Sequence, residues 1–358
     1  MASHESSPRT SHARIRVHRA LSAWWTRIRA LYRRRPLITG MVTVLVVLAV
    51  LGIGDLGILY GRLDRLDVTM PTGSASATDA GAQADTWLII GTDSRTALPD
   101  GPNRYGTVAE VGDGVRADVA ALVRATTSGL DVLVLPRDLV VVEGSPFDER
   151  LATSYIKGPQ YTVDALCTAY GIATTHVVAV DMAQFANIVD SMGGVTVDID
   201  EPVRDAYSGL EITTAGTRTL SGIDALALVR SRHPEVLRKG QWVALSEQEG
   251  AERRSQFTGV VMRALLTTAT EQARSPLAVH SLAWTLTGNL GVDTGTGLLD
   301  LVHLARKAHS HSGEDGGIKV VNVPAGPVED SFAAPPTDET YAVLAEYGFT
   351  PGACTPAS

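Results

Sequence analysis

Three stretches, WLIIGTDSR (87–95), VRADVAALV (115–123) and VLVLPRD (132–138), decide how this chain folds. Each joins an apolar run of strand length to a short charged cluster. In the first, Asp93 and Arg95 stand just past the apolar run. In the third, Arg137 and Asp138 do the same. In the second, Arg116 and Asp118 come before it. Open α/β sheets bind ligands outside the carboxyl ends of their strands. Arg116 and Asp118 therefore join the other two clusters only if their strand runs antiparallel to its neighbours.

Similar runs recur at Val177–Val180, Val195–Ile199 and Ile318–Val323, with helical patterns between them. Asp181 and Gln184 have the spacing of a capping box that opens a helix, which Gly193-Gly194 closes. Ser221 begins another helix. Phe257, Val260, Val261, Ala264 and Leu265 follow helical spacing, and Leu298–Ala308 is amphipathic. Strands alternating with helices predict an α/β fold: one αβα layered domain around a central mixed β-sheet, spanning residues 85–323. Residues 324–358 form a Pro- and Gly-richer tail with one weak helix, packing on or extending the domain.

The N-terminal part is of another kind. Residues 1–36 hold nine arginines and one acid. With 31 basic and 39 acidic residues in all, 22 basic and 38 acidic remain beyond residue 36, a formal −16. So acidic a region is a poor nucleic-acid binder, because phosphate neutralisation needs a basic surface. Leu37–Gly54 carries no charge. As a helix it spans roughly 27 Å, and Leu56–Tyr60 completes the crossing of a hydrocarbon core about 30 Å thick. Arginines before the span keep the N-terminus inside. The expected order is a cytoplasmic Arg-rich tail (1–36), a single-pass transmembrane helix (37–60) in the cell membrane, a linker (61–84) and an extracytoplasmic domain. Cys167 and Cys354 are enough for one disulfide, with two separate thiols an equal expectation.

The charged clusters carry the candidate chemistry. Arg230 and Arg232, in VRSRHP, share a face only in extended chain, and Pro234 favours that geometry. Paired guanidinium forks suit phosphate or diphosphate oxygens. Arg254 continues the apolar stripe of Phe257 and Val261 and so calls for an anionic partner, unless it snorkels at a helix start. Asp93, Asp118 and these arginines suit a hard cation such as Mg²⁺ held with phosphate oxygens, and do not suit zinc. No phosphate-cradling G-x-x-x-x-G-K-[ST] loop and no G-x-S-x-G elbow is present.

In order and spacing, GTDSR, RADVAALV, LVLPRDLVVV, FANIVDSMGGVTVDI and LSGIDALALVRSRHP resemble the core of the LytR-CpsA-Psr family, from about Asp85 to Leu266. RSRHPEVLRKGQW resembles the family's actinobacterial branch. The resemblance implies a cell-wall phosphotransferase of that family's fold. Such an enzyme moves a glycopolymer from a polyprenyl diphosphate carrier to peptidoglycan, with Mg²⁺ assistance. It implies catalytic roles for Asp93, Asp118 and Arg137 and metal contacts for Asp93 and Asp118. It implies diphosphate contacts for Arg116, Arg137, Arg230, Arg232 and Arg254. The chain departs from the family pattern in two places. Gln248, Ala251 and Ser255 replace an Asp, an Arg and a Gln before the long helix, and Arg150-Leu151-Ala152 replaces Lys-Ile-Asn. These departures leave a catalytically weakened paralogue that binds the lipid or glycopolymer as the alternative. A transcriptional role would put domain and DNA on opposite sides of the membrane.

Overall fold

A computed structural model describes residues 36–73, 85–99, 105, 114–126, 129–144, 148–272, 275–310, 318–328 and 332–357. The arginine-rich tail lies outside these residues, apart from Pro36. The chain divides into two compact units, 1–58 and 59–358. In the first, the apolar run forms the expected helix, which continues to Arg62 as Pro36–Arg62. Its Gly40–Arg62 portion is long and apolar enough to cross a membrane.

Among the described residues of the second unit, the central sheet has seven strands. These are β1 (Asp64–Leu66), β2 (Asp85–Thr92), β3 (Ala117–Ala125), β4 (Leu130–Leu135), β5 (His176–Val180), β6 (Gly291–Asp293) and β7 (Ile318–Asn322). Their order across the sheet is β1-β6-β5-β2-β3-β4-β7. β2 pairs parallel with β5, β1 with β6 and β4 with β7, and β3 runs antiparallel to both β2 and β4. The sheet is thus mixed, as expected. One row of paired residues crosses it: Asp64, Gly291, Ala179, Ile90, Ala120 and Leu135.

Both faces of the sheet are covered, which explains why its central strands read as nearly continuous apolar runs. Leu88, Ile90, Leu122 and Leu133 pack on one face with Leu166 and Tyr170 of the helix Pro159–Tyr170 and with Phe349 of the C-terminal segment. Trp87, Ala121, Val123 and Val132 pack on the other face. There they meet Met262 and Leu266 of the long helix Glu247–Gln272, and Leu301 and Leu304 of Leu298–Ser310. The helices Met182–Ser191 and Gly222–Arg230 build a further core with short β-ribbons. Their starts are the ones the sequence announces. Asp181 and Gln184 close a reciprocal capping box, and the Ser221 hydroxyl accepts from the Asp224 N–H.

The linker expected over 61–84 is part of the fold where it is described. Leu63 and Val68 are buried, β1 joins the sheet, and Thr72–Gly73 pairs with Cys354–Thr355. A three-residue edge strand is too short to stand out from polar linker composition, and its partner lies more than 200 residues away. The tail is likewise part of the unit. It carries the helix Asp338–Glu346, and Cys354 forms the disulfide with Cys167. Gly171 permits this docking. It adopts φ +67°, and a Cβ there would meet the Thr350 carbonyl oxygen at 1.8 Å.

Candidate active site

The three charged clusters converge. β3 runs antiparallel, so its leading Arg116 and Asp118 meet the trailing Asp93 of β2 and Arg137 after β4. They line a cavity of about 520 Å³ with Arg95, Tyr105, Arg150, Tyr207, Ser208, Arg230, Arg232 and His233. Six arginines face two carboxylates there, a formal excess of four positive charges. Asp138, behind the wall, pairs with Arg137 and Arg150 and lowers the excess to three, which still suits a multiply charged anion.

Each carboxylate is held differently. Asp93 Oδ1 accepts the Arg116 N–H at 2.6 Å, and Oδ2 faces the guanidinium groups of Arg95 and Arg116 at 3.4 and 3.5 Å. Asp118 receives Arg137 and Arg232, both on Oδ1, the latter at 3.1 Å. Oδ2 of Asp118 has no partner among the described residues. The site thus retains an open, charged acceptor.

Arg137 is 4% exposed and central. Burial opposes its charge, but Asp118 and Asp138 outweigh burial and raise its pKa. Asp138 lies behind it and also takes Arg150 at 3.0 Å and Arg254 at 3.3 Å. Burial lowers the pKa of Arg230, Arg150 and Arg254, and Arg137 adds to that lowering for the last two. Anionic charge brought among them relieves both effects. Arg230 stands over the Tyr105 ring, 4.9 Å from its centroid, and its Nη1 is buried without a hydrogen-bond partner. A buried guanidinium nitrogen without a partner is costly, and Arg230, which lines the cavity, gains from an anion bound beside it.

The helix Gly222–Arg230 ends at Arg230, Ser231 turns to extended geometry, and Arg232 and His233 form a bend. Arg230 and Arg232 therefore do not share an extended strand as expected, and reach the same cavity from a helix end and the turn after it. The buried Asp205 holds the turn that follows. Its carboxylate accepts from the Ser231 hydroxyl, the N–H groups of Arg232 and His233, and those of Tyr207 and Ser208, at 2.8–3.3 Å. Nothing in VRDAY marks this role in the sequence, because three of its five donors lie 26–28 residues further on. Arg150, Tyr105, Tyr207, Ser208 and His233 are further members that local pattern did not single out. Arg95 was visible only as a neighbour of Asp93.

Arg254 does not line this cavity. It lines a second cavity of about 380 Å³ that shares Asp118 and Arg137 with the first. Gln248, Ala251 and Ser255 line that cavity too, beside Val119, Leu135 and Val323. Neither neighbour of Ala251 restores the missing arginine. Arg253 bonds Glu201 at 2.7 Å, and Glu249 caps its own helix on Ser246. At the other departure, Arg150 faces the main cavity while Leu151 and Ala152 are buried. Among the described residues no group of three or more His, Cys, Asp or Glu gathers as a metal cage.

Residues 67–315 match the model of the LytR_cpsA_psr family. The chain is 30% identical over 273 residues to the probable cell wall biosynthesis protein LcpB of Corynebacterium glutamicum, covering 75% of this chain and 60% of the relative. It is 28% identical over 204 residues to the polyisoprenyl-teichoic acid–peptidoglycan teichoic acid transferase TagU of Bacillus subtilis, covering 56% of this chain and 64% of the relative. The matches thus span less than two thirds of either relative. Among solved structures, a LytR-Csp2A-Psr enzyme from Actinomyces oris is 48% identical with a TM-score of 0.70, covering 83% of this chain and 99% of that one. TagT bound to LIIa-WTA shares the fold alone, at 17% identity and a TM-score of 0.53.

Proposed function

The chain belongs to the LytR-CpsA-Psr family, and from that premise we propose that it is a membrane-anchored phosphotransferase of cell-wall assembly. Its donor is a glycopolymer on a polyprenyl diphosphate carrier, and its acceptor is a hydroxyl of peptidoglycan. The observation that carries this assignment is the six-arginine cavity, which Asp118 lines with an Oδ2 that has no partner among the described residues. The arginine excess suits a diphosphate, and the carboxylate suits proton transfer. The teichoic acid transferase related to this chain acts, by its name, on the same class of donor and acceptor.

The acceptor oxygen attacks the glycan-side phosphorus, and the bond from that phosphorus to the bridging oxygen breaks. The products are a glycan–peptidoglycan phosphodiester and polyprenyl monophosphate. Asp118 takes the proton from the attacking hydroxyl. Arg137, Arg230 and Arg232 neutralise charge gathering on the transferred phosphoryl and the leaving phosphate. Arg95 and Arg116, fixed by Asp93, hold the diphosphate in register. Mg²⁺ fits the donor set, because it is commonly held by one or two carboxylates together with substrate phosphates. Asp93 and Asp118 are the residues that would hold it, and it would supply further charge neutralisation on the phosphate oxygens.

A second reading, binding without turnover, is favoured by one observation: Ala251 and Ala152 place no polar group where the family carries Arg and Asn. The experiment incubates the full chain in detergent with a polyprenyl diphosphate-linked glycan and Mg²⁺, beside an Arg137→Ala control. Metal-dependent release of lipid monophosphate that the control lacks supports transfer. Saturable lipid binding without release supports the second reading. The anchor places the N-terminus in the cytoplasm, since arginines crowd that flank, and the domain outside.

A further inference from the structure

The helix Pro276–Asn289 has an unusual surface. Its sequence, PLAVHSLAWTLTGN, contains no Asp, Glu, Lys or Arg. Such a helix has no charged face to hold toward water. Yet Leu277 is 83% exposed and Trp284 42%. Leu277, Ser281, Trp284 and Gly288, spaced four, three and four apart, form one outward face. The opposite side carries Leu282, which packs into the neighbouring core.

Two observations name what covers this face. The first is its contact with the anchor end. Arg62, the last residue of the apolar helix, lays its guanidinium over the Trp284 ring at 4.1 Å and donates to the Trp284 carbonyl at 3.3 Å. Gly288 leaves the room, since a Cβ there would stand 2.3 Å from Arg62 Nη2. Beside it, Arg65 covers the Tyr60 ring at 4.5 Å. Arg62 lies two residues, roughly 3 Å of helix rise, beyond the expected end of the span. Tryptophan, tyrosine and arginine together are the composition of a membrane–water interface.

The second is the register of the sheet. Asp64 and Ile90 stand on one row, three strands apart, or roughly 14 Å at about 4.8 Å per strand. Arg62 precedes Asp64, Asp93 follows Ile90, Asp118 precedes Ala120 and Arg137 follows Leu135. The strand directions put all four beyond the same end of the sheet. Asn289, two residues before Gly291, ends the uncharged helix at that end too.

We propose that the helix Pro276–Asn289 is a membrane-docking element that seats the arginine end of the sheet on the phospholipid surface. The occupant of its outward face is the interfacial region of the bilayer that holds the anchor. The cavity then meets a lipid-borne diphosphate within the leaflet plane instead of reaching for it across solvent. This rests on the anchor reading given above and deepens it.

The test uses the full chain reconstituted into phosphatidylcholine–phosphatidylglycerol vesicles. The two native cysteines are joined to each other, so a single introduced thiol takes a nitroxide. Labels are placed at Ser281→Cys, at the exposed Glu339→Cys and, in the apolar helix, at Val47→Cys. Power saturation compares collisions with oxygen and with a water-soluble nickel chelate. The proposal expects oxygen to dominate at positions 281 and 47, and the nickel chelate to dominate several-fold at 339. Oxygen dominance at 47 with nickel dominance at 281 overturns docking and leaves the anchor standing. Shielding of 281 from both reagents marks a protein partner or second copy and overturns the proposal. Nickel dominance at 47 overturns the anchor, and docking with it. Transfer activity enters none of these readouts, so failure of the catalytic assignment stays separable.

Discussion

Asp205→Asn is the substitution whose effect the structure predicts in most detail. The carboxylate accepts five hydrogen bonds, two on Oδ1 from the N–H groups of Tyr207 and Ser208, and three on Oδ2 from Ser231, Arg232 and His233. Asparagine can keep its oxygen toward Tyr207 and Ser208. Its amide NH₂ then faces the N–H groups of Arg232 and His233, donor against donor. The Ser231 hydroxyl can rotate and accept, so two bonds to a charged acceptor are lost. At about 1.5–3 kcal/mol each the loss reaches roughly 3–6 kcal/mol. Arg232 and His233 are exposed residues, so their turn can relax toward water, which brings the expected destabilisation to about 2–4 kcal/mol. The same turn fixes Arg230 and Arg232. If half of that energy positions them in the transition state, kcat/KM falls about tenfold, at 1.4 kcal/mol per decade. Urea unfolding followed by tryptophan fluorescence reads the first effect, and lipid-monophosphate release reads the second. An unchanged unfolding midpoint together with unchanged kcat/KM would refute the claim that Asp205 organises the arginine turn.

Three further outcomes follow from the same geometry. Arg230→Lys replaces a fork by a point charge at a buried seat and should cost about tenfold or more in turnover; near-normal kinetics would put Arg230 outside the diphosphate site. Asp118→Ala should abolish transfer while circular dichroism still shows a folded domain, because Asp138 continues to neutralise Arg137; retained transfer would remove Asp118 from the mechanism. Reduction of Cys167–Cys354 should lower stability by roughly 2–5 kcal/mol, since the bridge closes a 187-residue loop; a melting temperature indifferent to reductant would contradict it.

What the sequence made legible was local. The strands Asp85–Thr92, Ala117–Ala125 and Leu130–Leu135 lie where β-branched and aliphatic runs adjoin charge, because the buried sheet needs those runs and one end of each strand meets the site. The antiparallel condition on Arg116 and Asp118 followed from the same pattern, and β3 meets it. What stayed hidden depends on distant partners. β1 is three residues whose partner is β6, and Asp205 finds its donors across another element. Cys167 and Cys354 meet only because the C-terminal segment folds back past Gly171. Arg254 follows its helix stripe inward as expected and finds Asp138 there, although its cavity is the second one.

Phosphorus NMR on the full chain, with Mg²⁺, a polyprenyl diphosphate-linked glycan and peptidoglycan fragments, tests the central claim most directly. The account predicts that the paired diphosphate resonances vanish while one phosphodiester and one phosphomonoester rise in equal amounts, and that Asp118→Ala does neither. Diphosphate resonances that broaden on binding yet persist would contradict transfer and make the arginine cavity a binding site alone.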